Sequence, residues 1–292
     1  MTTLDTAFVT DEGSRPLPSP LLERWPEHPS GLRQQLNLTR ELAITAFKLK
    51  YAGSALGYVW SLAKPLMLYG MMYLVFAIFL LRGKTTPLEN FPAQLLVGIV
   101  IWFFFNEATH AALTSVASNA DMLRKAYFPR WILVVAAIAS STMTLAINMS
   151  LILVLGFAFH WYHVGWQSLL IVPLLVEMCL LTLGVGLFLA AIYTYYRDLG
   201  HIWDVLLQFL FYASAVIFPF KLIPLRFQSL IALNPTAQII EDARRALVSP
   251  VLPWSTTVLH ARVVVPLALV VLSLAAGAWV FSRLGAHFGE RL

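Results

Sequence analysis

Side chains able to do acid–base chemistry are scarce in the apolar runs of this sequence: Glu107 with His110, and Glu177. Glu107 and His110 stand three apart, so a helix would place them on one face. Ionisable groups at membrane depth are functional candidates, either to move protons or to bond another helix. Two isolated carboxylates fall short of the relay that an ion-coupled transporter needs. Only Glu107 and His110 could serve a membrane-embedded transferase or hydrolase, so no catalytic residue is assigned. His160 and His163 flank Trp161 and precede Trp166, which reads as interfacial anchoring in place of a metal site. The phosphate-cradling run G-x-x-x-x-G-K-[ST] is missing, because Gly83-Lys84 lacks the upstream glycine. A nucleophile elbow, G-x-S-x-G, is missing too.

The elements that must hold these groups are membrane helices. Hydrophobic residues make up 59% of the 292 and charged residues 12%, against roughly 25% charged in soluble domains. Mean hydropathy is +0.74. The expectation is an all-α integral membrane protein with six spans: about Leu66–Leu81, Gln94–Val116, Ile132–Phe159, Ser168–Tyr193, Val205–Phe218 and Leu259–Phe281. Pro219 and Pro224 break the stretch after the fifth, so 218–235 reads as a re-entrant dip or as an external loop. Ahead of the first span, apolar positions step by four and three through Leu38, Leu42, Thr45, Leu49, Ala52, Leu56 and Val59, the stripe of an amphipathic interface helix. Arg40, Lys48 and Lys50 fall off that stripe; Phe47, Tyr51 and Tyr58 share the opposite face. Lys64-Pro65 punctuates before the span. The organisation is then a flexible tail over 1–30, an interface-helix region over 31–64 and a membrane body over 65–292.

Charge sets the orientation. A cytoplasmic N-terminus leaves Arg82, Lys84, Lys221, Arg226, Arg244, Arg245 and Arg262 outside and the other 13 of the 20 lysines and arginines inside. Both termini are then cytoplasmic, in a multi-pass membrane protein. The sequons at Asn37 and Asn148 fall inside and within a span, so neither carries glycan. The net charge of +5 serves this orientation and gives no case for nucleic acid. Cys179, the only cysteine, is silent about redox compartment.

Four stretches, in order, carry a family resemblance. Tyr51-Ala-Gly-Ser-Ala-Leu-Gly-Tyr-Val-Trp60-Ser-Leu-Ala-Lys-Pro65 resembles the approach to the first span in ABC-2 type permeases that export polysaccharides. Lys125-Ala-Tyr127-Phe128-Pro129-Arg130, Tyr196-Arg197-Asp198 and Leu233-Asn234-Pro235 fit the same family. The pattern covers roughly 38–250 and is similar to the Wzm-type permeases of O-antigen, teichoic acid and mycobacterial galactan export.

The resemblance implies a homodimer paired with two copies of a separate ATP-binding (Wzt-like) subunit, moving a polyprenyl-diphosphate-linked glycan outward. ATP and Mg2+ would be held by that partner and no cofactor by this chain. It implies that 119–131 is a coupling helix docking on the ATPase, with Asp121, Arg124, Lys125 and Arg130 at the contact. Arg40, Lys48, Lys50 and Lys64 are placed to meet the carrier diphosphate; attraction to anionic membrane lipid accounts for them as well. Apolar sugar faces suit aromatic rings, and Tyr69, Tyr73, Phe76, Phe105 and Tyr212 are the channel-lining candidates, lipid-facing or packing roles being the alternative. Composition and tail lean towards galactan among the glycans.

Overall fold

The computed structural model describes residues 31–53, 57–76, 90–125, 128–161, 165–249 and 251–285. The 1–30 tail, the end of the first span from residue 77, and Arg82 and Lys84 lie outside that set. All regular structure in the described residues is helical.

The interface helix is α1, Leu32–Tyr51. It packs along α5, Trp131–Ala158, but not by the expected stripe. Ala43 (1% exposed) and Thr39 are buried, while Thr45 is open and Leu49 is 68% exposed. At about 100° per residue, the Thr39/Ala43 face lies roughly a quarter-turn from the Leu38/Leu42/Thr45/Leu49 stripe. Small side chains let two helices approach closely where no water drives them together. Of the larger apolar stripe, Leu38 and Leu42 are half-buried and its Thr45–Leu49 end is left open. Phe47 also turns to the packed side and stacks on Tyr58, with ring centroids 5.2 Å apart.

The first span begins at Val59, seven residues before the expected Leu66, with its helix α2 over Val59–Tyr73 and its apolar stretch reaching Phe76. Pro65 sits inside α2 and does not start it, as membrane helices tolerate where neighbours cover the freed backbone. Next come α3, Phe91–Ser118, and the short α4, Ala120–Lys125. With α5, α3 forms the most buried part of the bundle. A 3-10 turn over Trp166–Leu170 leads into α6, Ile171–Tyr193.

The fifth apolar helix, α7, covers Leu199–Ala213, not the expected Val205–Phe218. His201 and Asp204 in its first turns hid its start. Its 15 residues reach about 22 Å, less than a bilayer core of about 30 Å. The chain then turns through Ala215 (φ 53°) and a 3-10 turn at Phe220–Leu222. It continues into α8, Leu225–Ala232, and α9, Pro235–Leu247. The 3-10 turn and α8 occupy the 218–235 stretch read above as a re-entrant dip or an external loop, and α9 beyond it is buried against α3, α6 and the last helix. Residues α10, Ser255–Leu259, and a 3-10 turn lead into α11, Val264–Gly285, which lies along α6. There a Cβ on Gly277 would stand 2.1 Å from the Gly184 carbonyl oxygen, so this crossing requires glycine.

Asn234 explains how α9 starts. Its Oδ1 accepts from the Thr236 N–H at 3.1 Å, an N-cap, and Pro235 occupies the first helical position. Its amide also donates to Ser214 Oγ at 3.0 Å, which ties the cap to the end of α7.

Candidate functional site

A cleft of about 690 Å³ opens between α2, α3 and α7. Trp102 and Phe103 of α3 line it, with Phe211 and Tyr212 of α7 and Leu68 and Met72 of α2. Trp102 meets Phe211 edge-on at 5.7 Å, and Phe211 meets Tyr212 edge-on at 5.3 Å. Between the rings stand Asn106, Gln208, His110 and Asp204. His110 Nε2 lies 3.2 Å from Asp204 Oδ1, an ion pair between α3 and α7 whenever the imidazole is protonated. Beside it the Trp203 indole donates to Thr109 Oγ1 at 3.1 Å, fixing the two helices. Aromatic faces alternating with amides and a carboxylate suit a ligand that is apolar on its faces and hydroxylated at its edges.

Of the aromatic candidates, Tyr212 lies in this cleft and is 70% exposed. Tyr69 and Tyr73 stack on one another at 6.0 Å, on a face of α2 next to the one that Leu68 and Met72 turn to the cleft. Phe76 packs edge-on against Phe218 at 5.0 Å. Phe105 is a correction. It is 3% exposed and packed between Trp102 and Trp203, at 5.7 and 6.4 Å. Successive residues of Phe103–Phe105 point about 100° apart, so turning Phe103 to the cleft sends Phe105 into the core.

The four candidate cations do not form one cluster; only Lys50 and Lys64 share a site. Arg40 lies 3.6 Å from Glu41 on an exposed surface, and Lys48 is exposed. Lys50 and Lys64 line one small crevice, where Lys50 is ion-paired with Glu107. Glu107 and His110 therefore serve different partners on different elements. The segment expected to couple to the ATPase is helical at α4, with Asp121 in its first turn. Ala126, Tyr127 and the side chains of Arg124 and Lys125 lie outside the described residues. Arg130 is half-buried at the rim of an apolar groove formed with α6 and α11.

Sequence reasoning missed the most connected side chain. Arg244, counted above as an external loop cation, is wholly buried. It donates to the Gln94 carbonyl at 2.9 Å, the Ala215 carbonyl at 2.9 Å and Glu241 Oε2 at 3.0 Å, and also to the Val216 carbonyl. Glu241 in turn accepts from the Phe220 N–H at 3.1 Å. Nearby, Asp242 accepts from the Ser255 N–H at 2.7 Å and from Gln238 at 2.9 Å. Glu177 of α6 stands beside Gln238 and Asp242 of α9. The signal was present: an acid and a base three apart within Ile239-Ile240…Ala243…Ala246-Leu247.

A family profile described as "ABC-2 type transporter" matches residues 37–248. The chain is similar to the O-antigen export system permease protein RfbA of Myxococcus xanthus, 28% identical over 72% of this chain and 79% of the relative. It is similar to a protein of the same description from Klebsiella pneumoniae, 23% identical over 84% and 91%. The polysialic acid transport protein KpsM of Escherichia coli is 22% identical over 75% and 84%.

Proposed function

The chain belongs to the ABC-2 type transporter family, and from that membership we propose that it is the membrane subunit of an ATP-driven exporter for a polyprenyl-diphosphate-linked polysaccharide. The observation that carries this reading is the α2–α3–α7 cleft, with Trp102, Phe103, Phe211 and Tyr212 around Asn106 and Gln208. Flat rings and amides hold a sugar chain weakly at many points, which lets it slide. Relatives named for O-antigen export and polysialic acid transport support the polysaccharide class. Within it we propose galactan.

Two copies of this chain pair with two ATP-binding subunits, which hold the ATP and Mg2+. Helix α4 docks on them through Asp121, Arg124, Lys125 and Arg130. The protein lies in the bacterial inner membrane with both termini in the cytoplasm. Arg40, Lys48, Lys50 and Lys64 face the same leaflet as the carrier diphosphate. Engagement of Glu107 by Lys50 and of His110 by Asp204 argues against a joint acid–base site, and so against the transferase reading.

The test is reconstitution of this chain with its ATP-binding partner in proteoliposomes carrying lipid-linked galactan. ATP-dependent movement of glycan across the bilayer is expected. Transport driven by an ion gradient without ATP overturns the proposal.

A further inference from the structure

A second crevice, lined by parts of α1, α2, α3 and α5, holds more polar chemistry than an apolar bundle calls for. Lys50 and Lys64 line it with Glu107, Ser141, Thr144 and Asn148, while Val100 and Phe104 give it apolar walls. Lys50 and Glu107 form an ion pair across it, from the end of the interface helix to the second span. The Thr144 hydroxyl is buried, at 4% exposure, and has no hydrogen-bond partner among the described residues. Unpaired polar atoms at such depth are costly, and a polar ligand in the crevice relieves that cost.

We propose that this crevice binds the phosphate or diphosphate headgroup of an amphiphile, and that Glu107 holds the anion's place at Lys50 until the headgroup displaces it. Two ammonium groups suit a phosphate, which accepts charge-assisted hydrogen bonds from both. The Thr144 hydroxyl then has an acceptor. The crevice holds only about 40 Å³ of open space, so the headgroup enters as the Glu107 carboxylate leaves Lys50, and the apolar walls then suit the first carbons of a lipid chain. Displacement breaks the tie between α1 and α3, so headgroup binding is coupled to release of the interface helix. The phosphate chemistry stands on the lining itself; that the amphiphile is the cargo's polyprenyl carrier rests on the exporter reading.

The experiment uses the full chain in phosphatidylcholine nanodiscs, titrated with farnesyl diphosphate. Glu107→Gln removes the competing charge and is expected to tighten binding about tenfold, the scale of one charge-assisted contact. Lys50→Met and Lys64→Met are each expected to weaken it about tenfold, and Thr144→Val to weaken it less. Unchanged or weaker binding by Glu107→Gln, with a lowered melting temperature, means the pair only staples α1 to α3 and overturns the exchange. Inorganic diphosphate binding as tightly as farnesyl diphosphate overturns the amphiphile. Displacement by an equal concentration of phosphatidylglycerol overturns the carrier and makes the crevice a phospholipid site. ATP-driven export is measured separately. Export without the Glu107→Gln effect sinks the crevice alone, and the effect without export sinks the exporter reading alone.

Discussion

Arg244 on α9 donates from Nε to the backbone carbonyl of Gln94 near the start of α3, 2.9 Å away and 150 residues distant in sequence. The same guanidinium holds the carbonyls of Ala215 and Val216, so one side chain joins α3, the end of α7 and α9. Arg244→Met leaves Glu241 as an uncompensated buried charge, and the expected loss is about 3–5 kcal/mol. The double variant Arg244→Met/Glu241→Met should recover part of it. Thermal unfolding of the detergent-solubilised protein reads both. A double variant no better than the single one means the carbonyl contacts, and not the charge pair, dominate.

At the α6–α11 crossing, Gly277→Ala places a methyl against the Gly184 carbonyl. Neither helix backbone can yield locally, so the pair must separate. The expected cost is about 1–3 kcal/mol, against little change for Gly31→Ala, where added bulk meets open space. Equal melting temperatures for the two variants would contradict the close crossing.

Tyr212→Ala and Phe105→Ala should part company. Tyr212 is exposed in the cleft, so its loss is expected to slow export while changing stability by no more than about 0.5 kcal/mol. Phe105 is packed between Trp102 and Trp203, and its truncation is expected to cost about 3–5 kcal/mol. Export per folded molecule should then be near normal for Phe105→Ala. Tyr69→Ala/Tyr73→Ala tests whether that stacked pair belongs with the cleft or with the core by the same two readouts.

The purified chain is expected to hydrolyse no ATP alone and to support turnover only with its partner subunit. Charge reversal at Arg124 and Lys125 should weaken that association with the melting temperature unchanged, as measured by co-purification. Normal co-purification and export by the double variant would remove these side chains from the docking surface.

The spans were legible because hydropathy is a property of composition, and their starts were not. Lys64-Pro65 looked like a boundary, yet the helix continues through both; His201 and Asp204 looked like a loop, yet belong to α7. Asp204 is held within its helix by a partner elsewhere, His110 of α3. Periodicity also misplaced the packed face of α1, because in lipid the large apolar stripe need not be the one that meets protein. Tyr212, a channel-lining candidate by type and by family resemblance, stands in the α2–α3–α7 cleft. The burial of Phe105 was not legible, since three successive phenylalanines carry no sign of which one turns inward. Arg244 was read as solvent charge because its acceptors are backbone carbonyls, which every residue offers and no sequence marks.

The wide separation of Gln94 from Arg244 has a consequence for biogenesis. Helix α3 enters the membrane long before α9 is synthesised, and Gly98, which faces the Arg244 guanidinium and the Val216 carbonyl in the finished protein, begins without that cover. The guanidinium arrives after three further apolar helices, α5, α6 and α7, have been made, and its three backbone acceptors wait for it until the ribosome has passed Arg244. A chain stopped at Leu233 should therefore insert its early helices and stay protease-sensitive around Ala215, with quality control reading the missing arginine as an unclosed bundle.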